Sequence, residues 1–258
     1  MNPIEAFKAQ VAANVEALSN DTEAKRLSRQ WSALTNRNGY TYNFCWLARP
    51  IIQYPQDIVA LQELIWKVKP DLIIETGIAH GGSLILSASM LALLDYCDAI
   101  ESKTILDPQK IRRRVLGIDI DIRTHNRIAI EAHPMAHRID MIQGSSIAAA
   151  TIYQVYKAAE NCERVFVILD SNHTHEHVLA ELDAYAHLVS PGSYCVVFDT
   201  LIEDLPAGMH PDRPWDVGNN PKTAVREFLS RNHDFEVDEE MEAKLLITVA
   251  PGGYLRRL

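Results

Sequence analysis

Cysteine is scarce in this sequence, and its four copies stand far apart. Cys45, Cys97, Cys162 and Cys195 form no Cys-x-x-Cys pair, which argues against a zinc knuckle and against a disulfide scaffold. Cys195 falls inside an apolar strand pattern and reads as a buried, inert thiol. Basic charge is also short: 25 Lys and Arg against 34 Asp and Glu leave a formal charge of −9. Such a chain repels phosphate backbones, so no nucleic-acid partner is expected, and the one dense basic run, Lys110–Arg114, reads as the solvated flank of a strand. A long hydrophobic run is missing too. The longest nearly apolar stretch, Leu84–Leu94, is too short to span a bilayer, and residues 1–8 lack the apolar core of a signal peptide. No membrane span and a cytoplasmic location are therefore expected. Neither an internal repeat nor a low-complexity tract is visible.

What is present is ordinary globular material: 258 residues, 47% apolar and 23% charged, enough for one large α/β domain or one domain with appendages. Residues 4–34 carry alanine, leucine and charge at helical spacing and no motif. Residues 36–56 form an aromatic loop in which Tyr40, Tyr42, Phe44 and Trp46 alternate, expected to pack over the core. Asp57 reads as an N-cap for a helix over 58–68 with Ile58, Leu61, Ile65 and Val68 in one stripe. Apolar strands then appear at 72–75, 115–119, 139–143, 165–170 and 194–199, separated by helical stretches at 83–94, 124–132, 146–159 and 175–188. A polar insertion over 95–114 lengthens the first crossover. A proline-rich loop, 200–220, reads as a lid; Asn220-Pro221 caps a helix over 222–230. Phe235–Asp238 and Leu245–Ala250 close the chain as two strands expected to be antiparallel neighbours. The pattern predicts a doubly wound Rossmann-like α/β sheet of five parallel strands plus a C-terminal antiparallel pair, with helices on both faces. An N-terminal helical and aromatic cap, 1–56, would precede the domain, 57–258.

In such a sheet ligands bind beyond the carboxyl ends of the strands. Four of the five strands end in acids here: Glu75, Asp119, Asp170 and Asp199; the third ends in Gly144-Ser145-Ser146. The turn Gly77-Ile-Ala79-His-Gly-Gly82 nearly matches a dinucleotide fingerprint, but Ala79 stands where pyrophosphate needs close backbone approach, and Glu75 would add negative charge beside the phosphates. An acid there suits a zwitterionic ligand such as the methionine end of S-adenosylmethionine. Asp119 can accept from both ribose hydroxyls, and Ser145 or Ser146 can border the adenine. Asp119-Ile-Asp121 also resembles the pattern of metal-dependent glycosyltransferases, which need neither the turn nor Glu75.

Glu75–Ser83, Leu116–Asp121, Gly144–Ser146, Leu169–His173 and Ser190–Tyr194 together resemble the cephalosporin hydroxylase / rhamnosyl O-methyltransferase family, in matching order from about residue 40 to the C-terminus. The resemblance implies an S-adenosylmethionine-dependent O-methyltransferase acting on a hydroxyl of a sugar, sugar nucleotide or glycosylated natural product. It implies a cofactor pocket lined by Glu75, Gly77, Ala79, Ser83, Asp119, Ser145 and Asp170. Asp170 and Asp199 fall where related enzymes hold a divalent metal (Mg²⁺, Mn²⁺ or Fe²⁺). Relatives carry an acid just before the last aspartate, and here that position is Phe198, which cannot ligate.

His173, three residues past Asp170, is the candidate general base, with Asp170 and Asp199 beside it; His175 and His177 read as solvated histidines at a helix start. Trp46, Arg49, Gln53, Trp215 and Lys222 are the candidate acceptor contacts, the two cations suiting a phosphate. A homo-oligomer is expected. Two alternatives stay open: a nicotinamide-dependent oxidoreductase on a similar sheet, and a non-catalytic cofactor-binding relative.

Overall fold

The apolar strands and intervening helices are laid out in space as a seven-stranded sheet in the computed structural model, which describes residues 2–258. Two N-terminal helices, α1 (Pro3–Asn20) and α2 (Thr22–Asn36), each begin at a side-chain cap: Asn2 accepts the Ile4 N–H and Asp21 the Ala24 N–H. The aromatic stretch is not simply a loop. It folds into an antiparallel hairpin, β1 (Phe44–Trp46) and β2 (Arg49–Ile51). Trp31, Tyr40, Phe44 and Tyr54 meet edge to face with centroids 4.9–5.6 Å apart, so the aromatics do pack over the core.

Helix α3 (Pro55–Val68) begins with proline in its first turn, and its N-cap is Tyr54 rather than Asp57. Asp57 is wholly buried one turn in and serves the far end of the chain. Its carboxylate accepts the Val249 N–H at 2.9 Å, the Tyr254 hydroxyl at 2.6 Å and the Thr248 hydroxyl. Burial pushes the Asp57 carboxyl up to about 6 despite these donors.

Strands β3 (Leu72–Thr76), β4 (Arg114–Asp119), β5 (Ile139–Gln143), β6 (Val165–Leu169) and β7 (Tyr194–Val197) are parallel. Strand β9 (Tyr254–Arg257) runs antiparallel to both its neighbours, β7 and the edge strand β8 (Phe235–Val237), in the order β5-β4-β3-β6-β7-β9-β8. Between them run α4 (Gly82–Ser102), α5 (Thr124–Glu131), α6 (Ala149–Ala159), α7 (His175–Tyr185), α8 (Pro221–Arg231) and α9 (Glu239–Leu245). Alternate residues of β3 enter opposite cores, Ile73 one and Leu72 with Ile74 the other, which is why its strand reads as apolar throughout. Direction along the sheet reverses beside β3, so the crevice at the tips of β3 and β6 is the topological switch point.

Three expectations are corrected. The final strand is Tyr254–Arg257; Leu245–Ala250 leaves α9 through Leu246 at φ +56° and lies against the core beside Asp57. The first crossover helix continues to Ser102, absorbing the first part of the expected insertion. It is long and apolar enough to cross a membrane by length and composition, but Leu84, Leu86, Leu91 and Leu94 are buried and pack in the main core. Finally, Arg113 of the basic run is buried, paired with Asp95 and at 2.7 Å with Asp98, while Arg138 meets the other Asp95 oxygen at 2.6 Å. Asp95→Ala would strand the buried Arg138 guanidinium and leave Arg113 with Asp98 alone, and is expected to cost about 3–5 kcal/mol of stability, measured by urea denaturation.

Candidate active site

Strand β3 delivers the chain into Gly77, at φ +89°, whose N–H donates to the Ile118 carbonyl at 2.8 Å. A Cβ on Gly77 would run into the Asp170 carbonyl, so glycine is what lets the tips of β3 and β6 close on each other. Ala79 follows at φ +44°, a left-handed conformation that costs an alanine about 1–2 kcal/mol. The turn is braced from behind. Asn126 donates to the Ala79 carbonyl at 2.8 Å, and Arg49 donates from Nε to the His80 carbonyl at 3.0 Å and from Nη2 to Asn126 Oδ1 at 3.2 Å. Helix α4 opens at Gly81 without a side-chain cap, leaving its first amides available to a ligand.

A cavity of about 490 Å³ spreads over these strand tips, bordered by Gly77, Ala79, Ser83, Asp119, Ser145, Asp170, His173 and Asp199. Asp119 both faces it and shapes it: one oxygen accepts the Ile78 N–H at 2.8 Å and the Ala79 N–H at 3.3 Å, the other the Asp121 N–H at 3.0 Å. Glu75 lies just beneath, 1% exposed, with the Ser83 hydroxyl donating to one oxygen and no partner for the other among the described residues. Burial pushes this carboxyl up to about 8. Its folded pKa thus exceeds the unfolded value near 4.5, so its contribution to stability is complete below that value and is lost as pH rises through 8. Glu75→Gln is therefore expected to stabilise the ligand-free protein at pH 8, by about 3–5 kcal/mol relative to its effect at pH 4. Denaturation curves at the two pH values measure it.

Across the crevice, Asp170 accepts from Gln53 Nε2 at 3.2 Å, and His173 Nε2 lies 3.1 Å from Asp199 Oδ2. Ligand atoms of Asp170, His173 and Asp199 all fall within 4.8 Å of one another. Burial first, then the charges of Asp199, Glu75, Glu181 and Asp57, raises the Asp170 carboxyl well above the ordinary range. So much acid with so little counter-charge is a donor set suited to a divalent cation: two carboxylates and an imidazole fit Mn²⁺ or Fe²⁺, and carboxylates with water fit Mg²⁺. Phe198 is buried in the core and presents its residue to the cavity without a ligand atom.

Of the five candidate acceptor contacts, Gln53 and Trp215 border the cavity. The other three are engaged elsewhere: the Trp46 indole donates to Ser89 at 3.0 Å, Lys222 pairs with Asp204 at 2.6 Å, and Arg49 braces the turn. His177 is not the solvated histidine expected. It borders the cavity, with Nε2 at 3.0 Å from the Ser146 hydroxyl, 3.3 Å from that of Ser171 and 3.4 Å from the fully buried Glu181. The four-residue spacing of His177 and Glu181 on one helix face was the available signal. His175 instead ties α7 to α8 through Thr223 at 2.9 Å and Glu227 at 3.1 Å.

Residues 38–258 match the family model for rhamnosyl O-methyltransferase/CmcI. The rhamnosyl O-methyltransferase of Mycobacterium tuberculosis is 31% identical over 206 residues, covering 78% of this chain and 73% of that protein. That of Mycobacterium leprae is 29% identical over 219 residues, 82% of each. A CmcI structure with Mg and SAM shares the fold at 19% identity and a TM-score of 0.52, covering 84% of this chain and 77% of that one.

Proposed function

This chain belongs to the rhamnosyl O-methyltransferase/CmcI family and is an S-adenosylmethionine-dependent methyltransferase, and we propose that its acceptor is a hydroxyl of a sugar, sugar nucleotide or glycosylated natural product. The observation that carries this reading is the placing of the His173–Asp199 pair and the Gly77–Ser83 turn on one cavity. The cofactor, when bound, supplies an electrophilic methyl group. The unpartnered Glu75 oxygen under the turn, the uncapped amides of α4 and the rim carboxylate Asp119 suit its ammonium, carboxylate and ribose groups respectively.

In this reading Asp199, facing Nε2 of His173, holds the imidazole in place and stabilises its charged form, and the other ring nitrogen, Nδ1, takes the acceptor proton. Gln53, donating to Asp170, and the half-buried Trp215, edge-on to His173 with centroids 5.5 Å apart, position the acceptor. Catalysis comes mainly from holding the hydroxyl in line. In place of that base, a divalent ion held by Asp170 and Asp199, with His173 as third donor, would lower the pKa of the acceptor hydroxyl. Nothing in the fold or the family favours the nicotinamide alternative. Free Cys45, Cys97, Cys162 and Cys195 support a reducing, cytoplasmic setting. The exposed Ile4 and Phe7 of α1 and Leu27 and Leu34 of α2 support a homo-oligomer, and residues 1–56 are taken as a cap on the domain 57–258.

Calorimetry with S-adenosylhomocysteine and with NAD tests the cofactor. Saturable binding of the first and none of the second is expected; the reverse would sink the reading.

A further inference from the structure

The acceptor side of the cavity is walled by residues 205–220, and its polar groups hold the segment to one shape. Asp216 accepts the Gly208 N–H at 2.8 Å, Glu203 accepts the Gly218 N–H at 2.8 Å and the Asn220 amide at 2.6 Å, and Asn219 accepts the His175 N–H at 3.0 Å. This wall offers the cavity His210, Arg213 and Trp215. Trp215 stands edge-on to His210 as well as to His173, with the His210 centroid at 4.9 Å. The Arg213 N–H donates to the His210 carbonyl at 3.0 Å, closing a tight turn between them. Arg213 is the only arginine or lysine among the residues bordering the cavity, and it makes no ion pair among the described residues. The lining acids are Asp119, Asp170 and Asp199.

We propose that Arg213, with His210, forms an anion subsite, so that the acceptor is a sugar bearing a carboxylate or phosphate, and that its ring lies against Trp215. The proposal rests on the methyltransferase reading and narrows its substrate class. An acceptor of negative charge entering a chain of net charge −9 past three lining acids meets repulsion, which an exposed cation bordering the cavity offsets. A guanidinium matches carboxylate and phosphate oxygens in a two-pronged bond, and an indole gives the apolar face of a sugar ring a flat contact. The two cations that the sequence suggests for a phosphate, Arg49 and Lys222, are engaged by His80 and Asp204, which leaves Arg213 for that role.

The test is calorimetry on the full chain saturated with S-adenosylhomocysteine, using rhamnose, glucuronate and UDP-glucose as probes. An anionic probe is expected to bind about tenfold or more tighter than rhamnose, with the preference weakening in salt. Glucuronate binding assigns a carboxylate and UDP-glucose binding a phosphate. Arg213→Gln is expected to erase the preference while S-adenosylhomocysteine affinity stays unchanged, and Arg213→Lys to retain part of it. Rhamnose binding as tightly as both anions, a preference that survives Arg213→Gln, or no binding of either anion by a protein that binds S-adenosylhomocysteine would overturn the proposal. Failure to bind S-adenosylhomocysteine would strike the methyltransferase reading itself.

Discussion

Gly77→Ala is expected to give a protein that no longer binds S-adenosylhomocysteine and that unfolds at much lower urea. Two costs fall on one position. At φ +89° a side chain pays the left-handed penalty, about 1–2 kcal/mol. The added methyl also overlaps the Asp170 carbonyl, a backbone atom that can retreat only by prising β6 from β3. Overpacking of this kind costs about 1–3 kcal/mol, so the sum is a large part of a domain's usual 5–15 kcal/mol. Retreat would also carry Asp170 away from Asp199 and His173, so binding and chemistry fail together. Gly192, at φ +78° with open space where its Cβ would stand, is the control: Gly192→Ala pays the backbone cost alone. Equal destabilisation of the two variants, with normal ligand affinity at Gly77→Ala, would show that the close approach does not matter.

The parallel half of the sheet was legible because its strands are buried on both faces, and a run such as Leu72-Ile-Ile has no other comfortable place in a chain this size. The antiparallel edge was misplaced for the same reason turned around. Leu245–Ala250 is the more apolar segment, yet its side chains are spent against the core near α3, and the left-handed Leu246 breaks its extension. Tyr254–Arg257 looks too polar, but an edge-side strand can carry Arg256 and Arg257 outward while Tyr254 and Leu255 turn in. Periodicity reports burial, and burial is not pairing.

The site divides along a similar line. Acids and glycines at strand ends were readable, since topology alone sends those ends to one crevice. Direction was not. Arg49 and Lys222 carry charge wherever they point, and neighbours far along the chain, His80 and Asp204, decide where that is. Asp57 looked like a cap because its surroundings in sequence are those of a helix start; its partners lie nearly two hundred residues away at Thr248 and Tyr254.

His173→Ala is expected to lower kcat by about 10²–10⁴-fold, with S-adenosylhomocysteine affinity unchanged. Neither His177 nor Asp170 is free to replace it. The Nε2 of His177 already meets Ser146, Ser171 and Glu181, and Asp170, raised well above the carboxylate range by burial and surrounding acids, tends to hold its proton rather than take another. Asp199→Asn should reproduce a smaller part of the loss, because it removes the charge facing His173 Nε2 but leaves the imidazole in the cavity. The same three side chains could instead hold a metal, and the two roles of His173 exclude each other, since a neutral imidazole has one basic lone pair to give to a metal or to a proton. Excess Mn²⁺ separates them. If His173 is the base, added metal leaves the alanine variant as slow as before; if it is a ligand, two carboxylates at high metal concentration recover much of the rate. Dialysis of the parent protein against EDTA, followed by the same titration, fixes the scale on which that recovery is judged.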